Sequence, residues 1–113
     1  MSIDVRAHAN YIPHSPQKVR LLVDMLRGKR VAEAQDILRF APQAAAVPLL
    51  KVLNSAIANA DENFGFGREN LYVYAIFVNE APTRKWRKFG ARGRFKPWLR
   101  RASHITVILR EQE

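Results

Sequence analysis

Between Glu80 and Glu111 the chain runs for thirty residues without a carboxylate, and ten of those residues are Lys or Arg. No other stretch limits the fold as severely, because like charges at that density repel and cannot be packed into a core. The remainder is electrostatically ordinary. Residues 1–80 hold nine basic and eight acidic side chains, whereas residues 81–113 hold ten and two. The net charge of +9 therefore belongs almost entirely to the C-terminal third.

A charge run is most simply a solvated surface or a disordered tail. Two features count against both readings. The run is not terminal, since the apolar segment Ile105-Thr-Val-Ile-Leu109 follows it. It also holds both tryptophans of the chain, Trp86 and Trp98, with Phe89 and Phe95, whereas solvated tails are poor in aromatics. Such a segment needs a polyanion to hold it, and nucleic acid fits better than an anionic membrane surface.

At 113 residues there is chain for one hydrophobic core, and a compact domain of this size buries roughly two thirds of its unfolded surface. A hydrophobic fraction of 48% suits a folded domain. The absence of Cys excludes disulfide scaffolds, thiolate metal sites and cysteine nucleophiles. The opening Met-Ser-Ile-Asp-Val-Arg carries an early acid and no apolar run, so no secretory signal is expected. The longest uncharged apolar candidate, Phe40 to Leu50, contains two prolines and a Gln and is too short to cross a bilayer.

Along the chain, residues 2–9 alternate with Ile3, Val5, Ala7 and Ala9 on one side, which predicts a short edge strand. Ser15 as N-cap and Pro16 at the first helical position start a helix with Val19, Leu22, Val23 and Leu26 as its stripe, ended by Gly28. Lys18 and Arg20 lie near its start, where the dipole prefers acids, so another partner is expected to hold them. A short second helix carries Val31, Ala34, Ile37 and Leu38 and is broken at Ala41-Pro42. A longer third helix carries Ala45, Leu49, Val52, Leu53, Ala56, Ile57 and Ala60, with Pro48 kinking it or shifting its start.

After a polar turn from Asp61 to Asn70, Leu71–Val78 reads as a central strand and Ala102–Arg110 as another. The expected fold class is α+β: three helices packed on a small three-stranded antiparallel sheet with a long protruding basic β-hairpin. The expected organisation is a single domain, residues 1–113, with a globular body (1–78 and 105–113) and a hairpin arm (79–104). If Val78 sits opposite Ile105, the two-fold centre falls between Ala91 and Arg92, bracketed by Gly90 and Gly93. Each arm strand is then 13 residues, or roughly 40 Å, longer than the body is thick.

Arg and Lys supply charge for phosphates, Arg also stacks on bases, and Trp and Phe offer π faces. The contact candidates are Arg84, Lys85, Arg87, Lys88, Arg92, Arg94, Lys96, Arg100 and Arg101. Any one of them taken alone is equally well a solvated cation; nine together are not. No reading helix with base-edge side chains is evident, which disfavours sequence-specific DNA recognition. A DNA-architectural role in a minor groove and a membrane-surface role remain as alternatives. Gly65-Phe-Gly67 lacks the rest of a dinucleotide or phosphate-loop fingerprint, and His8, His14 and His104 show no metal-ligand spacing. No enzyme, cofactor or metal is expected.

Five segments carry a resemblance across essentially the whole chain: Ser15-Pro-Gln-Lys-Val-Arg-Leu-Leu-Val-Asp-Met-Leu-Arg-Gly-Lys29, Ser55-Ala-Ile-Ala-Asn-Ala60, Ile76-Phe-Val-Asn-Glu-Ala-Pro82, Ala91-Arg-Gly-Arg94 and Ser103-His-Ile-Thr-Val107. In order and content they resemble the large ribosomal subunit protein twenty-two family, bacterial type. The resemblance implies a structural constituent of the large subunit, cytoplasmic in the ribosome. Such a protein binds large-subunit rRNA, assists assembly, and has no membrane partner. It further implies a hairpin lining the nascent-peptide exit tunnel near its constriction, opposite large-subunit protein four, with the nascent polypeptide as neighbour.

Carried onto this sequence, the rRNA-binding residues are Lys18, Arg20, Lys29, Arg30, Arg84, Lys85, Trp86, Arg87, Lys88, Arg92, Arg94, Lys96, Trp98, Arg100 and Arg101. The tunnel-facing tip is Gly90, Ala91, Arg92, Gly93 and Arg94. Tip changes in the family alter macrolide sensitivity, so Arg92 is the tip residue to test. The chain departs from the family pattern at Phe89-Gly90, where Pro-Arg is usual, and at Ala81-Pro82, where Gly-Pro is common. Trp86 and Trp98 stand where smaller or aliphatic residues are frequent.

Overall fold

The alternation of apolar and polar residues in three segments, and its switch to helical spacing in three others, is realised as a three-stranded sheet with helices on one face. The computed structural model describes residues 3–82, 84–89 and 95–111, with 84–89 and 95–100 described by their backbone. In chain order the elements are β1 (Val5–Ile12), α1 (Pro16–Val23), α2 (Val31–Phe40), α3 (Ala46–Phe64), β2 (Leu71–Glu80), β3 (Arg84–Phe89), β4 (Phe95–Arg100) and β5 (Ser103–Glu111). One sheet has the order β1-β5-β2, and β3 and β4 form a separate two-stranded ladder; every pairing is antiparallel. The fold is the expected α+β architecture with its long hairpin.

Val5 and Ala7 of β1, Ile105, Val107 and Leu109 of β5, and Leu71, Val73, Ile76 and Val78 of β2 all face the helices and are buried. Against them pack Val19, Leu22, Val23 and Leu26 from α1 and the turn after it, Val31, Ala34 and Leu38 from α2, and Leu49, Val52, Leu53, Ala56 and Ala60 from α3. Each fully buried Leu or Val contributes roughly 2 kcal/mol of transfer free energy, so this single cluster is the main source of stability. The small side chains of Ala56 and Ala60 let α3 lie close against β1 and β5.

Several expectations are corrected by tertiary pairing. The first strand extends past residue 9 to Ile12, because β5 continues to offer it partners beyond a register slip between Ala9 and Ile12. Tyr11 within that slip has φ 56°, and its N–H donates to Nδ1 of His104 at 3.1 Å. Ser15 and Pro16 open α1 as expected, but the regular helix ends at Val23. The chain then tightens into i+3 turns (Met25 N–H to Leu22 C=O, Leu26 N–H to Val23 C=O). Gly28, at φ 75°, reverses the chain there and donates its N–H to the Val73 carbonyl, a conformation that favours glycine.

Pro48 falls in the first turn of α3, where its missing N–H costs nothing, so it sets the start of the helix. The segment expected as a turn from Asp61 is helical through Phe64, and Gly65 in the left-handed region ends it. Leu71–Val78 is not the central strand: β5 is, flanked by β1 and β2.

Val78 is opposite Ile105, as the hairpin argument requires. Further out, Arg84 is opposite Arg100 and Phe89 opposite Phe95, which centres the outer ladder on Arg92 instead of between Ala91 and Arg92. The difference arises between Glu80–Ser103 and Arg84–Arg100, where the outgoing connection is one residue longer than the returning one. The expected tip, Gly90 to Arg94, lies outside the described residues. The molecule measures 64 × 25 × 19 Å with a radius of gyration of 17.1 Å. A compact chain of this length has about 13 Å, and the excess length is what a projecting ladder adds.

Candidate nucleic-acid interface

The sequence order of α1 and the loop after it runs antiparallel to β2 along that strand's outer edge. Arg20 donates from its guanidinium to the Val78 carbonyl at 2.9 Å, and Arg27 to the Ile76 carbonyl at 3.3 Å. Beyond Arg27, the Gly28 N–H donates to the Val73 carbonyl at 3.0 Å and the Val73 N–H to the Lys29 carbonyl at 2.8 Å. Arg30 then bridges to Tyr72. An exposed strand edge invites pairing by other chains, and here two guanidinium groups and a backbone bridge occupy it.

Arg20, expected near the helix start, falls in the last turn of the short α1, where the dipole favours a cation, and its partner is a strand carbonyl. The arrangement also brings together three of the body's four candidate contacts, Arg20, Lys29 and Arg30. Lys18, Arg20, Lys29 and Arg30 are all exposed; Arg20 lies at the end of β2 nearest the outer ladder, Lys29 and Arg30 at the far end, and Lys18 stands two positions before Arg20 on α1. None of Lys18, Lys29 and Arg30 pairs with a carboxylate among the described residues. Sequence reasoning missed Arg27, between the two pairs. The signal was its spacing of seven from Arg20, which on a helix running to Gly28, as the sequence predicts, returns to the same face. Arg27 is also paired with Asp24.

Other cations of the body are committed elsewhere. Arg39 pairs with Asp36 at 3.6 Å, and Arg68 donates to the Gln35 side-chain oxygen at 3.1 Å, Gln35 in turn donating to Asn54 at 2.8 Å. Arg110 donates to Asp4 and lies over the Tyr74 ring at 3.3 Å from its centroid. The hydrogen bond from Arg110 holds the Asp4 carboxyl below its ordinary value and raises the guanidinium in turn.

The hairpin's root is fixed from both sides. Glu80 and Ile12 both pair with Ser103, the Ala81 N–H donates to the Ala102 carbonyl at 3.0 Å, and the buried Ser103 hydroxyl donates to the His14 carbonyl at 2.7 Å. His104 packs edge-on against Tyr11 at 4.7 Å between ring centroids. Beyond this root the β3–β4 ladder places Arg84, Lys85, Trp86, Arg87 and Lys88 on one strand and Lys96, Trp98 and Arg100 on the other, with Arg101 exposed after it. Arg92 and Arg94 lie outside the described residues. The body's basic border therefore leads along β2 to the foot of the acid-free ladder.

Among the described residues no group of three or more His, Cys, Asp or Glu is placed to hold a metal ion, and no helix is long and apolar enough to cross a membrane.

Comparison with known proteins identifies the family of the chain. The family described as "Ribosomal protein L22p/L17e" matches residues 7–110. A protein of Thermoanaerobacter pseudethanolicus named "Large ribosomal subunit protein uL22" is 47% identical over 111 residues, covering 98% of this chain and 100% of the relative. Proteins of the same name from Clostridium novyi (43% over 110 residues, 97% and 99% coverage) and Pediococcus pentosaceus (45% over 108 residues, 96% and 92%) are similar to it along their length. The family is structural and not enzymatic. On both the profile and the full-length identity, the chain belongs to the ribosomal protein L22p/L17e family.

Proposed function

We propose that this structural constituent of the large ribosomal subunit binds ribosomal RNA along one continuous basic track. The track begins at Lys29 and Arg30, follows the outer edge of β2 past Arg20, with Lys18 exposed two positions earlier on α1, and continues onto the β3–β4 ladder. The observation that carries the reading is the antiparallel run of α1 against β2, which aligns otherwise scattered cations with the root of a segment lacking carboxylates. Cations in a line suit a phosphate backbone, and the aromatics among them suit unstacked bases.

The same reading extends to the arm's surroundings. A rigidly rooted, self-repelling hairpin can hold RNA segments together as the subunit assembles. With its tip at Gly90–Arg94 it lines the peptide exit tunnel near the constriction, beside large-subunit protein four and the nascent chain. The resemblance in sequence supports this placement, and Arg92 is the tip residue through which it is tested.

Binding to large-subunit rRNA fragments should weaken with the logarithm of salt concentration at a slope of roughly −4 to −8, from six to nine neutralised phosphates. A slope near zero, or equal binding to duplex DNA, overturns the reading. Crosslinks from residues 84–101 in assembled large subunits would map the RNA segments and test the tunnel placement directly.

A further inference from the structure

The outer ladder has two unlike faces. Residues directly opposite in an antiparallel pair share a face, and faces alternate along each strand. The register therefore puts Arg84–Arg100, Trp86–Trp98 and Lys88–Lys96 on one face, and Lys85–Leu99, Arg87–Pro97 and Phe89–Phe95 on the other. The first face is a rung of two tryptophans between two rungs of like charge. The second has cations on one strand only and apolar residues for the rest.

Like charges set directly opposite destabilise a hairpin, and opposite signs would stabilise it. Two of the three rungs on the tryptophan face are nonetheless cation–cation, in a segment with no carboxylate to relieve them. That arrangement works against the free hairpin and in favour of a bound polyanion. Neighbouring rungs on one face are roughly 7 Å apart, so a cation pair sits one such step away on each side of the tryptophan rung. A nucleotide with its base on the tryptophan rung would have its phosphates level with the Arg84–Arg100 or the Lys88–Lys96 rung.

We propose that this face, centred on Trp86 and Trp98, is a stacking site for an unpaired RNA base, with the flanking arginines and lysines holding the adjoining phosphates. The proposal rests on the rRNA-binding reading above and adds the position at which a base is gripped. Both tryptophans of the chain lie in this one rung, so intrinsic indole fluorescence reports on the site alone.

The test titrates the intact protein with a single-stranded oligoribonucleotide and with the same strand carrying abasic positions, which keep the phosphates and remove the stacking partner. Indole quenching should follow the base-bearing strand, and the abasic strand should bind about 5- to 100-fold more weakly. The double variant Trp86→Leu/Trp98→Leu should lose that discrimination while keeping its salt slope, and Trp86→Phe/Trp98→Phe should restore most of it.

Equal binding of both strands by the wild-type protein overturns the stacking site. So does a Leu variant that weakens both strands alike, because the indoles would then only be holding the hairpin together. Loss of salt-dependent rRNA binding in the wild-type protein defeats the underlying reading instead, so the two failures are distinguishable.

Discussion

In the body, Leu22, Leu49 and Leu53 are sealed from water by three helices and a sheet, and every strand of that sheet has a neighbour or a guarded edge. The outer ladder has two strands, no helix covering it among the described elements, and like-charged pairs at two of its six rungs. A two-stranded hairpin is marginal by itself in water. The comparison separates two jobs that share one chain: burial fixes the body without reference to any partner, whereas the ladder's composition is explicable only through a partner. Stability and binding should therefore respond to different substitutions.

The largest effect is expected from Leu53→Ala. Emptying that buried position should cost about 3 kcal/mol of unfolding free energy, measured by denaturant or heat, while leaving the salt slope for rRNA unchanged in the fraction that stays folded. A change in slope would break the separation. The converse variant neutralises Arg84, Lys85, Arg87 and Lys88 to Gln. Its salt slope should become shallower by about 3, with the unfolding transition shifted by less than about 0.5 kcal/mol. A large loss of stability there would show that the ladder supports the body after all.

A smaller effect sharpens the comparison from within the body. Because Arg110 holds the Asp4 carboxyl below its ordinary value, the pair stabilises the protein at neutral pH and loses that contribution as pH falls through the lowered value. Asp4→Asn should melt slightly earlier than wild type at neutral pH, and the two melting curves should converge in acid. Parallel curves across the whole pH range would mean that the pair contributes nothing, as exposed pairs often do.

How far the sequence could be read depends on whether a feature is local. The stripe Val19, Leu22, Val23 and Leu26 follows from helical spacing, and the pairing of Leu71–Val78 with the Ile105–Leu109 segment, though not its register, from two β-rich segments joined by a connection too long to be a simple turn. The position of β5 between β1 and β2 does not follow. Leu71–Val78 and Ile105–Leu109 have the same β-branched, aromatic character, and which of them gains two neighbours is decided by the rest of the fold.

The same holds for the latch of Arg20 and Arg27 on β2. Spacing of seven would put the two residues on one face of a helix, yet the helix stops at Val23 and Arg27 reaches β2 from the turns after it, a tertiary fact. Asp61–Phe64 stays helical although its side chains suggested a turn, because the left-handed residue that stops the helix is Gly65, four positions later than the polar run begins. At the interface, the cationic composition of residues 84–101 was visible from the start. The grouping of those residues into two faces required the register.

The sheet's middle strand is also the last of the described strands to be synthesised. Val5 and Leu109, paired across β1 and β5, are separated by nearly the whole described chain, and β1 and β2 touch only through what lies between them. Until β5 arrives, both earlier strands lack their partner and the hairpin has one foot without ground beneath it. Such a topology delays closure until β5 has been made and makes folding slower than the helices alone would suggest. A chain stopped short of Ile105 would carry nearly all of its positive charge on a scaffold unable to aim it, free to adhere to any polyanion in reach.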